Sequence, residues 1–244
     1  MKKLFLFFVT ILFSMNTVAF NSIKNLSDTL EIKSLNYNKN TPDSSIWINI
    51  DYPEIIGLKN SPVELKVNAF LENEFKESIE WYNEMQSDTA LYEDMTYQMQ
   101  YSFETGFQVE YNSEKFVSII LNHYEYTGGA HGNYFAVGYN IRMSDGKNLT
   151  LKNIIKPDSF DILADECEQA ILEAYEAKSL LDAGLFENEL AIEPDQDFYI
   201  TPTALVIQFD PYEIGPYSMG EIIAEIPFEK IRDILIDNLS FAIN

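Results

Sequence analysis

Three glycines within five residues, Gly128-Gly129-Ala130-His131-Gly132, interrupt a strand-rich stretch near the middle of the chain. Glycine carries a large backbone entropy and offers no side chain to pack, so such a cluster is not the interior of an ordinary strand. Apolar, aromatic-rich runs flank it at 116–126 and 134–141. The pattern predicts two strands joined by a special turn or bulge, which presents its backbone and His131 at the edge of a sheet.

The first residues constrain where such a sheet would work. Lys2-Lys3, an apolar run at 4–13 and the small-residue pattern Thr17-Val18-Ala19 read as a secretory signal peptide spanning residues 1–19, cut after Ala19. The alternative is a retained amino-terminal anchor. No other apolar run approaches membrane length, and no cysteine near the cut could carry a lipid. The expectation is a periplasmic or secreted protein without stable membrane insertion once the signal is removed. Cleavage would leave 14 basic residues against 39 acidic ones, a net charge of −25. That charge repels nucleic acid and anionic lipid and steers basic partners toward the surface. A lone Cys167 cannot form an internal disulfide. The fold must then rest on a hydrophobic core, for which the chain is long enough.

Periodicity gives the order of elements. Strands are expected at 30–35 and 45–52, with Ile46, Ile48 and Ile50 on one face and Pro53 ending the unit at a strand end or sheet edge. Ser61-Pro62-Val63-Glu64 is a helix start with a capping serine, a first-turn proline and a box-closing glutamate. Val63, Val67, Phe70, Leu71, Phe75 and Ile79 form its apolar stripe. Residues 83–94 read as its frayed end or a loop. Period-two patterning from 97 to 120, broken at Thr105-Gly106 and Asn112-Ser113, predicts an antiparallel meander. Beyond the glycine loop come a strand at 134–143 and a two-residue hairpin turn at Asp145-Gly146. A helix starting at Pro157 carries Phe160, Leu163, Cys167, Ala170, Ile171 and Ala174 inward. An acidic loop at 187–197 precedes strands at 198–200, 204–209 and 221–226, and Pro227 opens a final helix. Segregated strands with covering helices are the α+β class: two lobes of mainly antiparallel sheet, each covered by one or two helices. The lobes are expected at 20–126 and 127–244, dividing at the glycine loop.

Candidate chemistry is sparse. For His131 to act in a nucleophilic dyad it would need a positioned serine, threonine or cysteine, yet no Gly-x-Ser-x-Gly elbow occurs and Cys167 falls on an apolar face. His123 stands eight residues away without metal-ligand spacing. The expected role of His131 is to hydrogen-bond the turn and hold it rigid. In the stretch from Asp210 to Gly220, Asp210 and Glu213 could form a glycosidase-like carboxyl pair, but turn spacing alone does not make one. Tyr212 and Tyr217 with Pro211 and Pro216 are the stronger feature, because aromatic side chains on a stiff loop give contact area at small entropic cost. Their alternative is to plug the space beneath the loop. The expected contact surface is therefore Tyr126, Gly128, Gly129, His131, Tyr212, Pro216 and Tyr217, with no catalytic residue, metal ligand or cofactor site assigned. Whether His131, Tyr212 and Tyr217 share one open surface is the deciding geometry.

Taken together, Tyr126-Thr127-Gly128-Gly129-Ala130-His131-Gly132, Asp145-Gly146-Lys147-Asn148-Leu149-Thr150-Leu151, the stretch from Asp210 to Gly220, and Ile226-Pro227-Phe228 resemble the paired domains of unknown function 4163 and 3298. Tyr52-Pro53-Glu54-Ile55 and the helix from Ser61 fit the first of the pair. Relatives include the extracytoplasmic part of the lysozyme-sensing anti-sigma-V factor and the amino-terminal region of a peptidoglycan deacetylase. The resemblance implies a non-catalytic module of the cell envelope that recognises lysozyme, another basic protein, or peptidoglycan. In the deacetylase the chemistry belongs to a separate domain, which has no counterpart among these motifs. A glycan-acting hydrolase using Asp210, Glu213 or His131 is the remaining alternative.

Overall fold

The computed structural model describes residues 29–42, 45–58, 61–87 and 100–236. The expected signal peptide, its polar lead-in, residues 88–94 of the expected loop and the first residues of the expected meander lie outside them.

The chain is α+β, with a six-stranded and a three-stranded sheet. The first sheet contains β1 (Glu31–Asn40), β2 (Ile46–Ile56), β3 (Tyr101–Asn112), β4 (Phe116–Tyr126), β5 (Asn133–Arg142) and β6 (Lys147–Asn148), in sequential order. Every neighbouring pair is antiparallel except β2 and β3, which run parallel from Ile46↔Tyr101 to Ile50↔Thr105. Between those two strands lies α1 (Pro62–Ser87), the crossover that a parallel pair requires.

Helix α1 begins as its sequence dictates. The Glu64 N–H donates to Ser61 Oγ at 3.1 Å, Pro62 occupies the first position, and Glu64 Oε2 accepts the Leu58 N–H at 2.6 Å. Val67, Leu71 and Phe75 then bury their side chains against Ile46, Ile48, Ile50, Val117, Ile119 and Leu121. Tyr82 continues that stripe and is buried, so residues 83–87, expected as the frayed end of the helix or a loop, remain helical. Tertiary packing outweighs their polar composition.

Where the pairing of β2 with β3 ends, at Ile50↔Thr105, the helix takes over the edge of β2. Asn68 Oδ1 accepts the Ile55 N–H and Asn68 Nδ2 donates to the Ile55 carbonyl, both at 2.8 Å. Pro53, two residues earlier on the same side of the strand, brings no N–H to satisfy. It lies within β2 rather than ending it, at a point where the strand is an edge.

Other boundaries also shift. β3 runs unbroken through Gly106, which pairs with Asn122, and its irregularity falls between Val109 and Tyr111. The hairpin after β5 is a four-residue turn at 143–146 closed by the Arg142↔Lys147 pair, with Gly146 at φ +64°.

The second sheet contains β7 (Phe198–Ile200), β8 (Ala204–Phe209) and β9 (Ile222–Pro227), all antiparallel. Helix α2 (Phe160–Ala174) covers it, with Leu163, Cys167 and Ile171 buried; the short α3 (Leu180–Ala183) and α4 (Phe228–Ile231) add Leu180, Phe228 and Ile231 to the same core. Phe116 of β4 joins this second core, while Val117 faces the first. Alternation along β4 thus places α1 on one face of the large sheet and the second lobe on the other. The expected division at 126/127 falls in a hairpin of the first sheet, which continues to Asn148.

A buried polar chain ties the two together. The Ile200 N–H donates to Ser118 Oγ, Ser118 Oγ donates to Asn140 Oδ1, and Asn140 Nδ2 donates to the Phe198 carbonyl, at 2.9, 2.7 and 2.7 Å. At Gly138 a Cβ would lie 1.9 Å from the Phe198 carbonyl oxygen, so only glycine fits where β5 meets β7.

Candidate functional site

The β4–β5 pairing places Tyr124 opposite Tyr134 and Glu125 opposite Asn133, and closes the glycine loop between them. Gly128 and Gly129 adopt φ values of +92° and +106°, which L side chains rarely take. The Tyr126 hydroxyl donates to the Gly129 carbonyl at 2.9 Å, bracing the turn from its base. Gly132 is buried against the Tyr124 ring, and a Cβ there would fall 2.5 Å from the phenol carbon.

The Gly132 carbonyl is the junction between this loop and the second lobe. His131 Nδ1 lies 2.9 Å from it, and the Tyr217 hydroxyl donates to it at 2.7 Å. A carbonyl only accepts, so Nδ1 carries a proton in this contact. The His131 ring stacks on Tyr217 with centroids 4.1 Å apart and planes at 25°. Tyr134 meets Tyr217 edge-on at 5.6 Å, and Tyr212 lies 5.5 Å from it. Tyr217 is therefore the half-buried centre of a ring cluster whose outer members, His131 and Tyr212, are exposed. Sequence reasoning did not assign Tyr124 and Tyr134 to this cluster. Their symmetry about the glycine loop was the available signal, because residues equidistant from a hairpin's centre share a face.

The loop bearing Tyr212 is held by its own carboxylates. Glu213 Oε2 accepts the Asp210 N–H at 2.8 Å, Glu213 Oε1 accepts from Gln196 Nε2 at 2.7 Å, and the Tyr212 N–H donates to the Gly215 carbonyl at 3.1 Å. Tyr212 has φ +74° and is 56% exposed. A tyrosine in the left-handed region stores about 1 kcal/mol or more of backbone strain. Pro216, half-buried, precedes the 3-10 turn Tyr217–Met219.

Behind the rings, carboxylates seal the outer edge of β5. Asp210 Oδ1 accepts the Ala136 N–H at 3.0 Å and Asp197 Oδ1 accepts the Gly138 N–H at 3.3 Å. Burial pushes the Asp197 carboxyl up to about 6, with Asp210, Glu213 and Asp195 adding repulsion. Asp210 is raised by burial and then by Glu213, and Glu221 by burial and then by Asp210. Asp210 and Glu213, imagined as a glycosidase pair, are thus both engaged in backbone hydrogen bonds that shape the loop. Cys167 is buried and its thiol is raised by that burial, which leaves little reactive thiolate.

His123 lies on the opposite face of β4 from Tyr124. It is 8% exposed, burial holds its pKa down to about 4, and its ring stacks on Phe135 at 4.6 Å. Among the described residues no group of three or more histidine, cysteine or carboxylate side chains is disposed to hold a metal ion. No described helix is long and apolar enough to cross a membrane.

Residues 152–229 match the family model described as Protein of unknown function (DUF3298), and residues 39–134 match the one described as Deacetylase PdaC. The carboxy-terminal part of the chain is thus similar to DUF3298 domains. A PdaC-like domain precedes it. The fold recurs in a DUF3298 family member from Bacteroides fragilis, with a TM-score of 0.71 and 19% identity over 88% of this chain and 96% of that one. It recurs again in a DUF3298 family protein from Pseudomonas aeruginosa, with a TM-score of 0.64 and 22% identity over 87% and 97% of the two chains. No curated protein matches the chain.

Proposed function

We propose that the chain is an exported, non-catalytic binding protein of the cell envelope, whose ring cluster docks a basic protein such as lysozyme. The observation that carries this reading is the continuous contact from His131 through Tyr217 to Tyr212, which ends in an exposed tyrosine held at positive φ. Rigid aromatic anchors of this kind form binding hot spots, and strained backbone collects where a surface has work to do. Exposed Glu213 and half-buried Glu221 and Asp210 add negative charge beside the rings, complementary to a cationic partner. The resemblance to the lysozyme-sensing anti-sigma-V factor supports the same choice.

Calorimetry of the mature protein against lysozyme tests it. Binding that weakens as salt rises is expected; absence of heat at low ionic strength would remove the proposal. A glycan-binding auxiliary role is the second reading, favoured by the PdaC-like match. Retention on purified sacculi without affinity for lysozyme would select it. Release of acetate or of new reducing ends from sacculi would instead make the protein an enzyme.

A further inference from the structure

Between α1 and the large sheet lies a cavity of about 290 Å³. Its lining combines aromatic walls, Trp81, Phe103, His123 and Phe135, with the carboxylates Glu74 and Glu125. It shares no residue with the ring cluster. The cavity is lined by odd-numbered residues of β4 and β5, whereas Tyr124 and Tyr134 of the cluster are even-numbered, so the two lie on opposite faces of the sheet.

The walls are preassembled. Phe135 stacks on His123 with planes at 11°, Phe103 lies 6.0 Å from His123, and Trp81 lies 6.0 Å from Phe103. Tyr139 donates its hydroxyl to Glu74 Oε2 at 2.6 Å, which fixes that carboxylate as an acceptor. Lysine and arginine are absent from the lining among the described residues. His123 is neutral at physiological pH, because burial holds it down to about 4. The cavity therefore offers two negative charges and several π faces with no compensating cation. An anion would meet only repulsion there. A neutral apolar guest would leave the carboxylate charges uncompensated, whereas a cation meets both the carboxylates and the negative faces of the rings.

We propose that this cavity is a binding site for a small organic ammonium ion, its charged head held by Glu74 and Glu125 and its apolar body against Trp81, Phe103 and Phe135. The volume lies at the lower end of the range for small-molecule pockets, which limits the guest to one ring or a short aliphatic body. The strongly acidic surface raises the local concentration of such cations.

The test uses the full mature chain and three probes of one shape: phenethylammonium, 2-phenylethanol and phenylacetate, followed by calorimetry and by the Trp81 indole NMR signal. Phenethylammonium is expected to bind at least about tenfold more tightly than the alcohol, the size of a desolvated cation–π contact plus a charge pair. Phenylacetate should bind most weakly of the three. Glu74→Gln keeps an oxygen for the Tyr139 hydroxyl, and with Glu125→Gln it should each weaken the cation several-fold while leaving the alcohol unchanged. Glu72→Gln, exposed on the same helix, should change neither. Equal affinity for cation and alcohol, a cation indifferent to both substitutions, or an unmoved Trp81 signal would overturn the proposal. Lysozyme and sacculus binding belong to the other face, so either result leaves the proposed function to its own experiment.

Discussion

The backbone of Gly138 lies so close beneath Phe198 that a Cβ on Gly138 would stand 1.9 Å from the Phe198 carbonyl oxygen. Both partners are main chain and neither can swing aside. Gly138→Ala must therefore part β5 from β7 and disturb the neighbouring Ser118–Asn140 bridge. A loss of about 3 kcal/mol is expected, in the upper range for overpacking. Gly106 has open space around its Cβ position and serves as the control; Gly106→Ala should be neutral or slightly stabilising. Urea denaturation midpoints distinguish the two, and similar midpoints would show that the close approach is not selective.

Asn68 acts as a substitute strand for Ile55. Asn68→Ala removes the partners of both the N–H and the carbonyl of Ile55, and about 2 kcal/mol of stability should go with them. Hydrogen exchange localises the effect: the Ile55 amide should lose protection while that of Ile48, inside the ladder, keeps it.

The Asp197 contribution to stability should fall as pH rises from about 4 to 6, opposite in sign to that of His123, whose pKa, held down to about 4 by burial, favours the fold as pH rises through the same window. Asp197 has a folded-state pKa pushed up to about 6, above the ordinary unfolded value near 3.9, so the native state binds the extra proton across that window. The contribution present at acid pH is lost as the carboxyl ionises, roughly 2 kcal/mol after allowance for its partial exposure. Raised Asp210 and Glu221 act in the same direction. Asp197→Asn retains an acceptor for the Gly138 N–H and should remove this falling contribution. Melting temperatures of wild type and Asp197→Asn at half-unit intervals of pH provide the check, and a difference between the two that does not change from pH 4 to 7 would contradict it.

Tyr212 and Tyr217 should separate binding from folding. Tyr212→Ala removes a 56% exposed ring and relieves little packing, so the melting temperature should barely move while lysozyme affinity drops by about 2 kcal/mol or more. Tyr217→Ala dismantles three ring contacts and the bond to Gly132, so it should lower both. Tyr217→Phe isolates the hydrogen bond, worth about 1 kcal/mol. If Tyr212→Ala binds like the wild type, the exposed ring is not an anchor.

Local signals were readable in the sequence. Ser61-Pro62-Val63-Glu64 announced α1, the 3.6-residue stripe placed Cys167 inward, and the glycine cluster marked a hairpin. What escaped depends on partners far away in the chain. Parallel pairing of β2 with β3 is set by where a crossover helix lands, and Pro53 is tolerated inside β2 only because its pairing with β3 ends at Ile50, before Pro53. The contact of His131 with Tyr217 joins loops 86 positions apart, and no periodicity encodes that. Residues 83–87 looked like a frayed end or a loop because their composition is polar, while Tyr82 beside them supplied the burial that keeps them helical.

One family match ends at residue 134 and the other begins at 152, and most of β5 falls in the interval between them. That strand completes one sheet with its backbone and seats the other lobe with its outer edge. A fragment ending near Tyr134 would bare the flank of β4, and one starting near Lys152 would leave Asp197 and Asp210 facing water instead of amides. Recombination at the family boundaries would thus yield sticky, self-associating pieces, and the two units are inherited most safely as a pair.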